Sequence, residues 1–134
     1  MDRQGVRRTC LALKGATLDH PWGDDHDAYK VGGKMFALIG AMGGVSFKVS
    51  DIAFDVLTAS GQARPAPYLA RSRWVHLDDP DDWPDDELAD HLRMAHSLVS
   101  SRLPKKIQDA LGLDRSAENA SGTPGKAPSA KRGK

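Results

Sequence analysis

The residues of this chain best suited to chemistry are cations set in small groups. Lys30 and Lys34 straddle a Gly32-Gly33 pair, Lys48 closes an apolar run, Arg71 and Arg73 alternate with Ser72, and Lys105-Lys106 follow a proline. Such groups bind phosphates by releasing the counterions condensed on a nucleic acid, and arginine adds a planar fork matched to phosphate oxygens. Tyr68, between Pro67 and Leu69 and close to Arg71, is the aromatic residue most readily assigned to the same surface. No Asn, Gln or Arg set that would read base edges is identifiable, so the contact expected is with the DNA backbone and of low sequence specificity. The plainer alternative is that these charges only solvate an exposed sheet face.

Other chemistries find fewer residues. Asp24, Asp25, His26 and Asp27 offer oxygen and imidazole ligands, but adjacent residues on an extended loop point apart. Their spacing fits neither an EF-hand nor a zinc site, so they read as a polar turn. No Gly-x-Ser-x-Gly elbow, Walker loop or His-Glu-x-x-His is present, and His91 and His96, five apart on one helix, face different ways. The expectation is a protein that is not an enzyme and uses no metal or cofactor. Trp22, Tyr29, Trp74 and Trp83 read as core or cleft packing rather than base-stacking platforms. Cys10 lies in a helical apolar pattern and reads as a small core residue.

The elements that must position these residues follow from periodicity and punctuation. Val6, Cys10 and Leu13 recur at helical spacing between Asp2, a capping residue, and Gly15, a stop. Strands are expected at Ala28–Val31, Met35–Ala41 and Val45–Val49, turned at Gly32-Gly33 and Gly43-Gly44 because two-residue hairpin loops need positive φ. A second helix, capped by Ser50 or Asp51, runs through Ala59 to Gly61. Arg64-Pro-Ala-Pro is extended by its prolines, and Arg73-Trp-Val-His-Leu alternates like a half-buried strand, which would put Arg71 and Arg73 on one strand face. A third helix is expected over 85–101, burying Leu88, Leu92, Ala95, Leu98 and Val99, with a short helix from Pro104 to Leu111.

The result is an α+β chain: an antiparallel sheet of about five strands with helices on one face, roughly α-β(3–4)-α-β(1–2)-α. At 134 residues and 40% hydrophobic content it holds one core. Residues 1–113 form the expected domain. Residues 114–134, rich in Ala, Ser, Gly, Pro and Lys, form an expected disordered basic tail, with five basic and two acidic side chains. Before the tail, 14 basic residues face 16 acidic ones, eight of them between Asp78 and Asp90 with no intervening Lys or Arg. The molecule is therefore expected to be electrically polarised. No secretion signal or membrane span is legible, so a cytoplasmic monomer without membrane contact is expected.

Several pieces in order, Pro21-Trp-Gly-Asp-Asp, Lys30-Val-Gly-Gly-Lys-Met-Phe-Ala, Ser46-Phe-Lys-Val, Arg64-Pro-Ala-Pro-Tyr-Leu-Ala-Arg, Arg73-Trp-Val and Leu103-Pro-Lys-Lys, resemble the MmcQ/YjbR family of small bacterial proteins. The resemblance spans nearly all of residues 3–110, and His96 and Ala70 depart from the family pattern. It implies a double-wing or CyaY-like arrangement and a DNA-binding role. On that expectation Lys30, Lys34, Arg71 and Arg73 converge into one cationic patch. The competing reading is a protein-interaction or small-ligand module with a cleft lined by Trp22, Tyr68 and Trp74. The acidic balance of the body supports it, because dedicated DNA-binding domains are usually more basic.

Overall fold

Asp2 starts the first helix by a local bond: its carboxylate accepts from the Gly5 N–H at 2.9 Å, and α1 (Arg3–Leu11) follows. The structure is a computed structural model that describes residues 1–67 and 69–113, so Tyr68 and the expected tail lie outside the described residues. It divides into a unit of Met1–Arg102 and a second that opens at Leu103.

In the first unit, α1 leads into β1 (Ala16–Asp19), β2 (Asp27–Val31), β3 (Lys34–Ile39) and β4 (Val45–Lys48). Then come α2 (Asp51–Ser60), β5 (Arg64–Pro65), β6 (Trp74–Leu77) and α3 (Asp85–Ser100). All sheet neighbours are antiparallel, in the order β1-β2-β3-β4-β6-β5. Six strands form where about five are expected, the addition being the short edge strand β1, while the extended Arg64-Pro65 segment forms the other edge as β5. In the second unit, α4 (Lys105–Ala110) follows Pro104, and the Gln108 side-chain amide donates to the Leu103 carbonyl at 2.7 Å.

The first hairpin forms as its glycines require. Gly32 (φ 57°) and Gly33 (φ 80°) both take the left-handed conformation of a two-residue turn, and Val31 pairs with Lys34. The second turn differs from expectation. Only Gly43 has positive φ, within a loop closed by the Gly40 N–H donating to the Gly44 carbonyl and the Gly43 N–H donating to the Gly40 carbonyl. Gly44 is needed for space, because a Cβ there would stand 2.6 Å from the His76 ring.

Helix α3 packs across β2, β3 and β4, α1 packs against α3 and β1, and α2 packs against β5 and β6. Between them Tyr29, Phe36, Ile39, Phe47, Leu88 and Leu92 are fully buried. The Phe47 ring lies 5.9 Å from both Trp83 and His91, and the Trp83 indole N–H donates to the Gln62 carbonyl at 3.0 Å. His96 also turns inward, edge-on to Phe36, and its Nε2–H donates to the Lys14 carbonyl at 2.7 Å. Burial pulls its pKa down, against the opposing bond to Lys14, so the ring packs neutral. Cys10 is buried, which raises its thiol pKa to about 12 and leaves it protonated and inert.

The supposed polar turn before β2 holds one structural residue. Asp27 is the first residue of β2 and is buried, bonded by Arg3 Nε at 3.1 Å and His20 Nε2 at 3.0 Å. Burial pushes its pKa up, but the bond and charge of Arg3, with His20, outweigh burial and hold it below the usual carboxylate range. The strand's start is therefore pinned to α1.

Tyr29 carries the one buried side-chain polar atom that lacks a hydrogen-bond partner among the described residues. An unpaired buried hydroxyl costs free energy that its phenylalanine isostere avoids. Tyr29→Phe should therefore raise unfolding free energy by about 1 kcal/mol, read from urea denaturation. A loss of stability would mean that the hydroxyl has a partner.

Candidate functional site

The cations regroup around the end of β4. Lys48 is the last residue of that strand and pairs across the ladder with Trp74, the first residue of β6. The chain reaches Trp74 through a 3-10 turn, Ala70–Ser72, and then Arg73, the single described non-glycine residue with positive φ (63°). That backbone conformation strains an ordinary residue by about 1 kcal/mol. It brings the turn back onto β4: Lys48 Nζ donates to the Ser72 carbonyl at 2.6 Å. The Val49 N–H donates to the Arg73 carbonyl at 2.9 Å.

This arrangement corrects the sequence reading of Arg71 and Arg73. Neither lies in a strand, so they do not share a strand face; both project from the turn that precedes β6. Nor does β6 alternate as expected, since Trp74, Val75 and Leu77 are all buried and only His76 is half-exposed. A strand buried on both faces loses its period-two pattern, and only His76 keeps partial contact with solvent.

Arg71, Arg73, Lys48 and Arg102 line one open cavity of about 440 Å³, together with Ser50 and Asp51 at the start of α2. Arg73 Nε meets the Asp51 carboxylate at 3.1 Å, and its guanidinium lies 5.3 Å from the centre of the Phe54 ring. Arg71 and Arg102 have no carboxylate partner among the described residues. Burial, then the charge of Arg102, draws the Lys48 pKa below its ordinary value, with Asp51 opposing and Arg73 adding. Crowded like charges of this kind are relieved by an anion. A smaller slot of about 200 Å³ opens beside the cavity, walled by Ala53 of α2 and by His91, Met94 and Leu98 of α3. The two spaces share Lys48, Val49, Ser50 and Leu98. Leu98, expected in the core, thus lines the surface instead.

The hairpin cations do not join this cavity. Lys30 Nζ is held at 2.7 Å by Asp19, its diagonal neighbour across β1 and β2. That bond keeps the Asp19 carboxyl below the usual range. Lys34 stands exposed beside the turn. The four-residue patch of Lys30, Lys34, Arg71 and Arg73 is therefore replaced by Lys48, Arg71, Arg73 and Arg102. Lys105 and Lys106 are exposed in the first turn of α4, in the second unit. Tyr68 lies outside the described residues. The aromatic cleft also dissolves, because Trp74 is buried while Trp22 is 58% exposed and meets the His26 ring. Trp22 thus departs from the core or cleft packing expected of it.

One constellation escaped the sequence reading. Ser46 and His76 are cross-strand partners, with Oγ 2.8 Å from Nδ1, and His76 Nε2 lies 3.3 Å from Asp78, which also pairs with Arg64. Burial and Arg64 lower the His76 pKa against the pull of Asp78, so the ring is neutral at pH 7. The residue types are those of a nucleophile relay. Ser46, however, is buried in β4, whose amides are spent on β3 and β6, leaving no backbone N–H pair beside it to hold an oxyanion. The cluster fastens the centre of the sheet to its β5 edge.

Among the described residues no helix is long and apolar enough to cross a membrane. No curated protein matches the chain. Among solved structures, the crystal structure of Deinococcus radiodurans protein DR2400, described as a DUF419 domain, is similar at 25% identity and a TM-score of 0.73, covering 88% of this chain and 93% of that one. The YjbR family model matches residues 11–98, a stretch that runs from the end of α1 to Leu98 of α3 and includes Lys48, Arg71 and Arg73. The chain belongs to the YjbR family.

Proposed function

We propose that this protein is a non-enzymatic DNA-binding domain that holds backbone phosphates in the cavity formed by Lys48, Arg71, Arg73 and Arg102. The observation that carries this reading is the convergence of four cations, from β4, the turn before β6 and the turn that follows α3, on one open cavity with Asp51 as the lone carboxylate lining it. Arginine forks suit phosphate oxygens, and the half-buried Lys48 beside them adds a point charge. Family membership is consistent with this role. The acidic stretch from Asp78 to Asp90 orients the molecule by repelling the duplex from that side.

Binding to a labelled duplex, titrated at several ionic strengths, tests the reading. Affinity should fall steeply as salt rises, because each phosphate contact releases condensed counterions. No binding at low salt, or an affinity indifferent to salt, would overturn it. Asp51→Asn frees Arg73 from its carboxylate and should strengthen binding about threefold at low salt. A weakening would show that Asp51 positions Arg73 instead of competing with phosphate.

A further inference from the structure

The apolar slot beside the cation cavity is not needed to hold a phosphate. It is continuous with that cavity through Lys48, Val49, Ser50 and Leu98, so a ligand whose anionic group sits among the cations has its adjoining body directed at Ala53, Met94 and Leu98. The slot's volume, about 200 Å³, lies below the roughly 300 Å³ at which pockets for drug-sized molecules begin. It has room for one flat ring system. Its walls set the His91 ring and the Ser97 hydroxyl beside methyl, thioether and isobutyl groups, a mainly apolar lining that suits the face of a ring and not a second charge.

We infer that the composite site takes one unstacked nucleotide, with phosphate on Lys48, Arg71, Arg73 and Arg102 and base in the slot between α2 and α3. This inference rests on the phosphate reading above and deepens it, since it selects the strand state of the DNA. In a duplex the base is paired and stacked, and withdrawing it costs a few kcal/mol. In a single strand or frayed end the base is already available, and apolar burial of its face adds to the backbone contacts whatever the sequence. The duplex remains a ligand of the cation cavity alone. Single strands gain the slot as well.

Four binding measurements with labelled DNA of equal length, made at one low salt concentration with the full chain, test this. They use a duplex, the corresponding single strand, that strand with abasic residues throughout, and the single strand in competition with a free nucleoside monophosphate. The intact strand should bind about tenfold more tightly than the abasic strand, which has the same phosphates and no bases. The monophosphate should displace the intact strand at concentrations where inorganic phosphate does not. Ala53→Leu fills the slot from α2 and should reduce the intact strand to the abasic level with duplex affinity unchanged. Met94→Ala removes one wall at an exposed position, where the fold is insensitive, and should act in the same direction. Circular dichroism confirms that both variants are folded.

Equal affinities for intact and abasic strands would overturn the inference and leave the phosphate reading standing. An intact-strand advantage untouched by both variants would place the base elsewhere and overturn the slot assignment. Failure of every DNA form to bind at low salt would sink the phosphate reading, and this inference with it.

Discussion

Alanine at Arg71, Arg73 and Arg102 together should weaken duplex binding by roughly one to two orders of magnitude at low salt. If each guanidinium meets one phosphate, the slope of log affinity against log salt should become shallower by about 2.7, at about 0.9 per contact. Some attraction should persist, because five cations of residues 114–134 and the exposed Lys34 remain. The three arginines are exposed, and the one ion pair among them, Arg73 with Asp51, is worth little in stability because both partners are solvated. Thermal unfolding should therefore barely move. Lys34→Ala is the contrasting variant, since its side chain stands outside the cavity, and affinity should change by less than about threefold. The reverse ranking, with Lys34 dominant and the triple variant silent, would return the contact to the hairpin.

The largest stability effect should come from Phe47→Ala. Phe47 is fully buried on β4, beneath the Trp83 and His91 rings and between β3 and β6. Its removal loses the transfer free energy of the ring and leaves a cavity that rigid aromatic neighbours cannot collapse into. Such truncations cost about 3–5 kcal/mol. That is a large share of the roughly 5–15 kcal/mol expected for a domain of this kind. Urea denaturation measures it, with Phe47→Leu as the milder companion that keeps most of the volume. A loss below about 1 kcal/mol would show that Phe47 is not packed as described. His91, which packs on Phe47 and also lines the slot, links this cluster to the site. Partial loss of packing should therefore reach single-strand binding before it reaches the cation cavity.

Features with local causes were legible in the amino-acid order. Asp2, Ser50 and Gly61 mark helix ends through contacts within three or four residues, and Gly32-Gly33 specifies its turn through φ alone. Strands β2 to β4 and helices α2 and α3 fall within a residue or two of their expected limits. Lys48, Arg71 and Arg73 were also identified as phosphate-binding candidates. Their grouping was not. It depends on β6 inserting between β4 and β5, which sets Lys48 opposite Trp74, and on Arg73 taking a left-handed conformation that nothing in Arg-Ser-Arg-Trp announces. The pairing of Lys30 with Asp19 likewise required β1 to lie beside β2, a short edge strand with weak local signal. Asp27 read as part of a polar turn because its partners, Arg3 and His20, lie 24 and 7 positions away.

The turn that delivers Arg71 and Arg73 lies outside the paired residues of β5 and β6 and is tied to β4 by the Val49–Arg73 and Lys48–Ser72 bonds at its end. Residues can be inserted or deleted there without sliding β6 against β4, since loop length adds only slowly to closure entropy. The framework and the ligand grip are thus separately adjustable. Chains built on this scaffold can diverge in what they hold while remaining superimposable in how they fold.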